Sequence, residues 1–451
     1  MCIYLNKTSS NKQKAIGTDF SIYFIGCGGI GMCGLAMLSM QLGYEVSGSD
    51  IKESKNTELL LANGVNININ HSTSNLPKNK NFIVVYSSAI QNDNPELKEA
   101  HKLGIKCYKR GEYLALIAKQ YKRVISIAGS HGKTTVTAMI VHILRQCNIS
   151  DVGYLIGGWP IGWKHLGEIG NEDIFVIEAD ESDLSLTLID SHIGVVLNLD
   201  DDHSWNVGGK EKLKRGFIGF AEQSNLLLYA SDKELNNTFN CISTPKKMID
   251  FKNMKLHRDD LNQTDNLWGE YQIKNAVMAM AVAVELGISE AKAIKAIKSF
   301  PGIERRMQKV FSKNNITVLE DYAHHPIEVK AAIAAVKENY PNQKLTVIFQ
   351  PHRYARLKHY FKQFIIELKK ADRIFIVPVF SAWSSIDKIS SKDLAENIGE
   401  KAVSIDGSWK EMAGEITKEA IIDDNVILIL GAGDVNKVIP KIIEPFNFKS
   451  K

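Results

Sequence analysis

The sequence predicts an α/β protein of three domains, each built on a largely parallel sheet. Short apolar strands alternate with helical segments along most of the 451 residues. Two strands run directly into glycine-rich loops, at residues 26–31 and 129–132, and a Pro-Gly break follows Phe300. We therefore expect a Rossmann-like first domain over residues 1–118, a central domain with a parallel sheet of the phosphate-loop ATPase type over 119–303, and a Rossmann-like third domain over 304–451.

The composition excludes several classes of protein. Charged residues make up 24% and hydrophobic residues 44% of the chain, and the formal net charge of +4 is small for this length. Because no long basic run is present, charge gives no support to nucleic-acid binding. The six cysteines are scattered without a Cys-x-x-Cys pair, which argues against a disulfide framework and a structural zinc site. The polar N-terminus lacks the apolar run of a signal peptide, and no stretch approaches the length of a membrane span. We expect a cytoplasmic protein that binds neither nucleic acid nor a membrane.

The first glycine-rich loop fits the fingerprint of a dinucleotide-binding turn. An apolar strand over 21–25 leads into Gly26–Gly31, and an apolar helix follows over 32–42. The next strand ends at Asp50, nineteen residues beyond Gly31. Such a loop places a diphosphate at the helix N-terminus, but it does not identify the nucleotide. The alternative is a close-packed turn between strand and helix that binds no ligand.

The second glycine-rich loop has the layout of a phosphate-binding loop. The apolar strand that begins at Val124 is followed by Gly129–Gly132, and Lys133 begins a helix with good apolar periodicity. Glycines let the backbone approach phosphates, the helix N-terminus points N–H groups at them, and the lysine reaches the terminal phosphates. Thr134 can then ligate Mg²⁺. The alternative is an ordinary glycine turn and a helix with a surface lysine.

Two later strands of the central domain end in acidic residues. The first begins at residue 173 and delivers Glu178, and the second covers 192–198 and is followed by acids and His203. We expect the two strands to be neighbours that bring their polar ends to one edge of the sheet, where ligands bind. Mg²⁺ needs hard oxygen ligands and bridges phosphates, so Glu178 is the expected ligand and His203 a candidate. The alternatives are a solvated acidic loop and a surface histidine.

Polar side chains also follow the strands predicted in the third domain. They are Asp321, His324 and His325 after the first strand, His352, Arg353 and Arg356 after the second, and Gly431–Asp434 after the last. Their gathering at one edge indicates a site that faces a neighbouring domain, where arginine is the expected partner of a carboxylate or phosphate. The alternatives are a solvated helix face for the arginines and a capped turn before Pro326 for the histidine pair.

Five motifs together resemble those of the Mur ligases of peptidoglycan synthesis, and the resemblance covers the chain from about residue 20 to 440. The motifs are Gly28-Gly-Ile-Gly-Met-Cys-Gly-Leu-Ala36, Gly129-Ser-His-Gly-Lys-Thr-Thr135, Glu178-Ala-Asp-Glu-Ser-Asp183, Asp321-Tyr-Ala-His-His-Pro326 and Phe349-Gln-Pro-His-Arg-Tyr354. The resemblance implies that ATP phosphorylates a muramyl carboxylate and that an amine attacks the acyl phosphate. The form of the first motif favours members that add L-alanine to UDP-N-acetylmuramate. Two anions must meet in this reaction, so cations are required, and the resemblance implies two Mg²⁺ ions.

The resemblance also implies a role for each candidate site residue. The catalytic residues would be Lys133, Glu178 and His203, and the metal ligands would be Thr134, Glu178 and His203. The ATP contacts would be Gly129, Ser130, His131, Gly132, Lys133, Thr134, Thr135, Asn275, Arg306 and Asp321. The UDP-sugar contacts would be Gly28, Gly29, Ile30, Gly31, Asp50, His71, Ser87 and Ser88. The amino-acid contacts would be Tyr322, His324, His325, His352, Arg353 and Arg356. Because the third domain of such enzymes closes over ATP, a hinge is expected near residues 305–306.

The chain departs from the family pattern in three places, and other functions stay open. Trp159-Pro-Ile-Gly-Trp163 stands where a spaced Gly and Asn are usual, Ser204-Trp205 where an Asp or Thr is usual, and Tyr271-Gln272 where a His-Asn pair is usual.

Three alternative functions stay open. They are a ligase that joins a preformed peptide to UDP-N-acetylmuramate, an NAD-dependent dehydrogenase, and a nonenzymatic nucleotide-binding regulator. A dehydrogenase would leave the phosphate loop and the acidic strand ends unexplained. The expected oligomeric state is a monomer or a homodimer.

Overall fold

The chain is described by a computed structural model that covers residues 20–79, 81–171, 173–200, 204–251, 269–313, 315–382, 387–420 and 425–447. The described residues form two compact units. The first unit comprises residues up to 251 together with 275–300, and the second comprises 269–274 together with the residues from 301 onward. Within the described ranges, no helix is both long and apolar enough to cross a membrane. His203, a predicted metal ligand, lies outside the described residues.

The first unit begins with a parallel sheet whose strands alternate with helices. The strands are β1 (Ser21–Ile25), β2 (Glu45–Asp50), β3 (Asn66–Ile69), β4 (Phe82–Tyr86) and β5 (Cys107–Lys109), and the helices are α1 (Ile30–Gln41), α2 (Lys55–Ala62), α3 (Pro95–Lys102) and α4 (Arg110–Ala118). The strand order is β3-β2-β1-β4-β5, with the fully buried β1 at the centre. Because the order reverses between β1 and β4, the loops after these two strands border the crevice in which such sheets bind ligands.

The second sheet of the same unit is centred on the strand that carries the phosphate loop. Its strands are β6 (Arg123–Ala128), β7 (Gly153–Leu155), β8 (Gly167–Glu168), β9 (Ile174–Glu178), β10 (Ser191–Val196), β11 (Ser224–Ala230) and β12 (Lys246–Ile249). The helices are α5 (Lys133–Gln146), α6 (Ser204–Val207), α7 (Lys210–Glu222), α8 (Lys233–Phe239), α9 (Gly269–Glu285), which belongs to this unit from Asn275 onward, and α10 (Glu290–Lys298).

The order of this second sheet corrects one prediction. The order is β12-β11-β10-β6-β9-β7-β8, and the pairs are parallel except for β7 with β8. The two strands with acidic ends, β9 and β10, are therefore not neighbours, since β6 lies between them. The chain crosses over β6, which is buried from Val124 onward, and the consequence is that both polar strand ends flank the phosphate loop.

The two sheets of the first unit share one hydrophobic core. It includes Phe24 of β1, Leu38 of α1 and Phe175 of β9. A methyl group at Gly34 of α1 would lie 2.4 Å from Cδ1 of Leu155 in β7, so the two elements pack closely and a larger residue would displace the Leu155 side chain. The two glycine-rich loops are therefore fixed within one packed body.

The second unit holds a single sheet between two layers of helices. Its strands are β13 (Gln308–Lys313), β14 (Ile316–Asp321), β15 (Lys344–Phe349), β16 (Arg373–Ile376), β17 (Ala402–Ser404) and β18 (Asn425–Leu430). Its helices are α11 (Pro326–Asn339), α12 (Tyr354–His359), α13 (Phe361–Leu368), α14 (Ser391–Ile398), α15 (Trp409–Ala420) and α16 (Ile439–Asn447). The order is β13-β14-β18-β15-β16-β17, and the pairs are parallel except for β13 with β14.

Alternate residues of this sheet face separate cores. Val347 and Leu428 belong to the core on one face, and Ile348 and Ile427 to the core on the other. Helices thus cover both faces, as expected of a doubly wound sheet. The predicted α/β fold with three largely parallel sheets is confirmed.

Candidate active site

The phosphate loop is shaped by two glycines with positive φ angles. Gly129 (φ 139°) directly follows β6, and a methyl group there would lie 3.2 Å from the backbone nitrogen of Asn198. Gly132 (φ 89°) is the N-cap of α5. Residues with side chains rarely adopt these conformations, so glycine is favoured at both ends of the turn. The first turn of α5 then presents N–H groups that have no acceptor within the helix, which suits an anion.

Residues that follow β10 hold the middle of the loop. Oδ1 of Asn198 accepts from the backbone N–H of His131 at 2.9 Å, and its Nδ2 donates to the carbonyl of the same residue at 3.0 Å. Oγ of Ser130 accepts from the backbone N–H of Asp200 at 2.9 Å. Ser130, His131 and Thr135 are buried, as their places in the loop and in the first turn of α5 require. These contacts help to hold the loop in shape, which lowers the ordering cost of binding a ligand.

Lys133 is paired with a buried carboxylate that the sequence analysis did not assign. Its Nζ donates to the carbonyl of Gly129 at 2.6 Å and lies 2.9 Å and 2.7 Å from the two carboxylate oxygens of Glu181. Burial lowers the pKa of Lys133, but Glu181 and Asp180 raise it by more, so the pKa is raised. The lysine is therefore a cation at neutral pH. Glu181 lies in the acidic motif after β9, but four acids stand close together there and spacing does not select one of them.

Thr134 and Glu178, the two predicted metal ligands among the described residues, are hydrogen-bonded to each other. Oγ1 of Thr134 donates to Oε2 of Glu178 at 3.2 Å, and Oε1 of Glu178 accepts from the backbone N–H of Gly157 at 2.6 Å. A hydroxyl and a carboxylate beside a phosphate loop are the hard oxygen donors that Mg²⁺ prefers, with phosphates and water completing its shell. The two residues therefore fit one ion. Among the described residues, no group of three or more His, Cys, Asp or Glu side chains could hold a metal ion, and His203 lies outside them.

Arg110 connects the acidic motif to the first glycine-rich loop. Its guanidinium lies 2.6 Å from Oδ2 of Asp180 and 3.7 Å from Oδ2 of Asp183. A methyl group at Gly31 would lie 3.5 Å from Cδ and 3.7 Å from a terminal nitrogen of Arg110. Burial by itself would raise the pKa of Asp180. The positive charges of Arg110 and Lys133 act in the opposite direction, and the pKa is lowered to about 2. Arg110 was not predicted, because seventy residues separate it from Asp180.

Asp50 holds the first glycine-rich loop in place. Its Oδ2 accepts from the backbone N–H of Gly28 at 2.8 Å, and Nδ2 of Asn56 donates to the carbonyl of Gly28 at 2.8 Å. A methyl group at Gly28 would lie 2.9 Å from Oδ2 of Asp50. Gly29 is the N-cap of α1, and Ile30 is the first residue of that helix. The predicted acid and glycines thus meet at one strand–helix turn.

A buried carboxylate, Glu96, holds one further predicted contact of this sheet, His71. Its donors or close partners are the Tyr23 hydroxyl (3.1 Å), Ser49 Oγ (2.5 Å), His71 Nδ1 (3.1 Å), the Ser72 backbone N–H (3.1 Å) and Asn75 Nδ2 (2.8 Å). Burial raises the pKa of Glu96, but the hydrogen bonds from His71, Ser49 and Asn75 outweigh burial and lower it. His71 is thereby held beside the end of β2.

The remaining predicted contacts in the first unit lie at separate places. Ser87 and Ser88 follow β4, and Ser87 Oγ accepts from the backbone N–H of Ala89 at 3.3 Å. Ser88 is exposed. Asn275 is buried on α9. The roles of these residues stay predictions.

Asp321 ends the first parallel strand of the second unit in a buried position. Oδ2 accepts from the backbone N–H of Met307 and Oδ1 from that of Ala323, both at 2.7 Å. Arg306 lies with its guanidinium carbon 5.0 Å from the centre of the Tyr322 ring. The strand end, the arginine and the aromatic ring are therefore contiguous in this unit.

The predicted histidines and arginines of the second unit divide into two groups. His324 and His352 have ring centres 5.6 Å apart, and a terminal nitrogen of Arg356 lies 3.4 Å from Nδ1 of His352. Burial and the neighbouring cations lower the pKa of His352 to about 2, so this ring is neutral. His325 instead caps α11, where Nδ1 accepts from the backbone N–H of Ile327 at 3.4 Å. The capped turn that was left open as an alternative is thus present at His325.

Arg353 and Arg305 occupy constrained backbone positions in the same unit. Arg353 has φ 65° and donates its backbone N–H to the carbonyl of Phe380 at 2.8 Å. Arg305 has φ 61°, and its side chain donates to Glu320 at 2.7 Å and to the carbonyl of Gly431 at 2.7 Å. A residue so tied is part of the packed unit, and the hinge expected near residues 305–306 stays a prediction.

Asp321 should make the stability of the second unit depend on pH. Burial raises its pKa from 3.8 to about 6, against the lowering effect of Arg306. The stabilisation from the bound proton is complete below pH 3.8 and is lost as the pH rises through 6, by about 3 kcal/mol. We expect wild type to lose unfolding free energy across this window relative to Asp321→Asn, as measured by urea denaturation at several pH values. Parallel pH profiles of the two proteins would contradict the assignment.

Three family models match the chain in succession. They are the Mur ligase family catalytic domain over residues 21–122, the Mur ligase middle domain over 127–283, and the Mur ligase glutamate ligase domain over 305–433. Each covers one of the three sheets described above in whole or in large part. The matches therefore follow the architecture of the chain.

Curated proteins and solved structures resemble the chain over nearly its whole length. UDP-N-acetylmuramate–L-alanine ligases from Caldicellulosiruptor bescii and Aquifex aeolicus are each 34% identical over 95% of this chain and cover 99% and 98% of their own lengths. The crystal structure of a UDP-N-acetylmuramate–alanine ligase from Thermotoga maritima has a TM-score of 0.79 at 24% identity, covering 95% of this chain and 99% of that one. A murein peptide ligase from Psychrobacter arcticus has a TM-score of 0.68 at 22% identity, covering 96% and 99%.

Proposed function

Because the chain belongs to the Mur ligase family, we propose that it is an ATP-dependent ligase that joins L-alanine to the lactyl carboxylate of UDP-N-acetylmuramate. The observation that carries the chemistry is a pair of contacts at the phosphate loop: Lys133 donates to the carbonyl of Gly129, and Thr134 donates to Glu178. The choice of substrates is supported by the alanine ligases that are 34% identical to the chain over 95% of its length. Both substrate nucleotides are cytoplasmic metabolites, so the reaction is proposed to take place in the cytoplasm.

The proposed reaction has two steps. A carboxylate oxygen of the muramyl group attacks the γ-phosphorus of ATP, and the bond to the bridging oxygen breaks to release ADP. The amine of L-alanine then attacks the acyl carbon, phosphate leaves with the bonding electron pair, and the amine loses a proton to give the amide. A carboxylate is a poor electrophile, and its conversion to an acyl phosphate supplies the good leaving group that the second step needs.

The phosphate loop would act mainly by placing positive charge beside the transferred phosphoryl group. Lys133 is a half-buried cation in the first turn of α5, whose N–H groups would receive the phosphates. Mg²⁺, held by Thr134 and Glu178 with a second ion expected at His203, would neutralise charge that builds up between the phosphates and the carboxylate. Glu178 is kept in position by the N–H of Gly157.

The other two substrates are assigned to separate parts of the chain. The turn of Gly28–Gly31 would hold the diphosphate of the sugar nucleotide, with Asp50 as its support. The second unit would supply the residues that bind the amino acid, and Arg356 beside the neutral His352 ring is the proposed partner of its carboxylate.

A second candidate function is the joining of a preformed peptide to the same sugar nucleotide. It is favoured by the fold shared with a murein peptide ligase and by the departure at residues 159–163. The two functions are separated by phosphate release with ATP, Mg²⁺ and UDP-N-acetylmuramate, with L-alanine, other amino acids or a tripeptide as acceptor. We expect release with L-alanine. Release with the tripeptide alone would overturn the leading proposal, and reduction of NAD would overturn the ligase class.

Asp50→Ala is expected to weaken binding of the sugar nucleotide more than it lowers turnover. The substitution leaves the backbone N–H of Gly28 without its acceptor and loosens the loop, while the phosphate loop is unchanged. We expect KM for UDP-N-acetylmuramate to rise about 10-fold with kcat within about threefold of wild type. Initial rates at saturating ATP and L-alanine measure both constants. Glu45→Ala, an exposed acid on the same strand, is the control and should leave KM unchanged. An equal loss of kcat would contradict the assignment.

A further inference from the structure

The loop after β9 buries a carboxylate that the reaction described above does not use. Glu181 is wholly inaccessible to solvent. Within the described parts of the chain, the hydrogen bonds to its side chain come from Nζ of Lys133, at 2.9 Å and 2.7 Å. A carboxylate is rarely buried without a charged partner, because water is lost from around it. Burial raises the pKa of Glu181 and outweighs the lowering effect of Lys133, so the contact with Lys133 is what favours the ionised form in this position.

The same contact defines where the lysine ammonium lies. An ammonium has three N–H groups. One donates to the carbonyl of Gly129 at 2.6 Å, and the other two face the carboxylate oxygens of Glu181 at 2.9 Å and 2.7 Å. A phosphate oxygen would therefore share an N–H group with one of these acceptors. Gly129 and Glu181 together fix the Nζ atom on both sides, so the long lysine side chain needs no further ordering when the nucleotide binds.

The charge of the pair has a second effect on the nucleotide. If Lys133 moved away to meet the phosphates, it would leave Glu181 buried and unpaired, which is strongly unfavourable. The pair should therefore persist with ATP bound. The negative charge of Glu181 reduces the attraction of the Lys133 ammonium for the phosphates. Glu181 therefore fixes the position of the ammonium but weakens the binding of nucleotide in the ground state.

We propose that Glu181 is a positioning residue for phosphoryl transfer: it fixes the Lys133 ammonium for the transition state and weakens the attraction of the loop for bound nucleotide. The proposal rests on the proposed function, since it assumes that Lys133 meets the phosphates of ATP. A positioning role predicts different changes in kcat and in nucleotide affinity, whereas a purely structural role would not separate the two. Interactions that act only in the transition state raise kcat, whereas uniform attraction changes nucleotide affinity alone.

Glu181→Gln tests the proposal, because glutamine keeps the size of the side chain and removes the charge. We expect the Kd of ADP to fall about threefold to 10-fold, because the ammonium attracts phosphates without opposition. We expect kcat to fall about 10-fold to 100-fold, because the ammonium is less well placed. ADP affinity is measured by isothermal titration calorimetry in Mg²⁺ without the sugar nucleotide, and kcat by phosphate release at saturating substrates.

Two further variants keep the test decisive. Glu181→Asp keeps the charge but shortens the side chain, so kcat should fall while ADP affinity stays within about twofold of wild type. Glu168→Gln is the matched control, because Glu168 pairs with Arg145 at 2.7 Å in the last turn of α5, at the opposite end of the helix from Lys133. It should change neither constant by more than about twofold.

The outcomes separate this proposal from the proposed function. A parallel loss of ADP affinity and kcat in Glu181→Gln, or an unchanged kcat, would overturn the positioning role while wild type still released phosphate with L-alanine. If Glu181→Gln failed to fold, as judged by circular dichroism, the Glu181→Asp measurement would decide alone, and an unchanged kcat there would overturn the proposal. If wild type bound ADP but released no phosphate with any acceptor, the proposed function itself would fail.

Discussion

Lys133→Ala is expected to lower kcat for phosphate release by at least about 100-fold. The ammonium is the cation of the phosphate loop, and its loss removes the charge that would oppose the negative charge developing on the transferred group. The substitution also leaves the buried carboxylate of Glu181 without its partner, so some loss of stability should accompany the loss of rate. The rate is measured by coupled ADP release at saturating substrates, and the fold by thermal unfolding.

A nearby lysine provides the control for this variant. Lys122 precedes β6, its side chain is 81% exposed, and it pairs with Asp173 at 2.7 Å. Exposed pairs contribute little to stability, so Lys122→Ala should leave kcat within about twofold of wild type. If Lys133→Ala stayed folded and retained near-normal turnover, the assignment of Gly129–Thr135 as the phosphate-binding loop would be wrong.

Glu178→Ala is expected to abolish turnover to a similar extent, with a fall in kcat of at least about 100-fold. The carboxylate is the acceptor for both Thr134 Oγ1 and the N–H of Gly157, so it occupies the place at which a metal ion would meet the phosphates. Phosphate release should be followed as a function of Mg²⁺ concentration. Glu178→Gln, which keeps an acceptor for Gly157 but removes the charge, should need more Mg²⁺ and should still turn over slowly.

The pair of variants distinguishes a metal ligand from a structural acid. A structural role for Glu178 predicts that the glutamine variant is close to wild type, because the hydrogen bond to Gly157 survives. A metal-binding role predicts that both variants lose activity, and that the unfolding temperature of Glu178→Gln stays near that of wild type. Turnover of Glu178→Gln within about threefold of wild type at the same Mg²⁺ concentration would refute the metal assignment.

The conformation of the loop at Gly129–Gly132 could be predicted because its information is local, whereas its phosphate-binding role stays a prediction. Strand, glycines, lysine and threonine follow one another over residues 124–134, and each has a fixed geometric role. The placement of Glu178 followed from the same reasoning, since it ends a strand of the same sheet. Such features need no knowledge of how distant segments pack.

The site residues that were not predicted are placed by contacts between segments that are distant in sequence. Arg110 meets Asp180 across seventy residues of sequence, and Glu96 gathers donors from three separate segments that no sequence spacing links to it. The sheet order was misjudged for the same reason, since β9 and β10 are consecutive in sequence but lie on opposite sides of β6. Strand β13 was also not predicted, because its polar sequence and half-exposed side chains give a weak strand signal at a sheet edge.

The contact of Gly34 with Leu155 limits how this chain could have diversified by recombination. A graft that exchanged residues 1–118 for another nucleotide-binding domain would have to bring a small residue at the position of Gly34, or the Leu155 side chain would have to move. The same graft would have to replace Arg110 as the partner of Asp180. The boundary between the first two sheets is therefore a poor place to exchange domains. A chimera joined there should fold only if the contacts of Gly34 with Leu155 and of Arg110 with Asp180 are both kept.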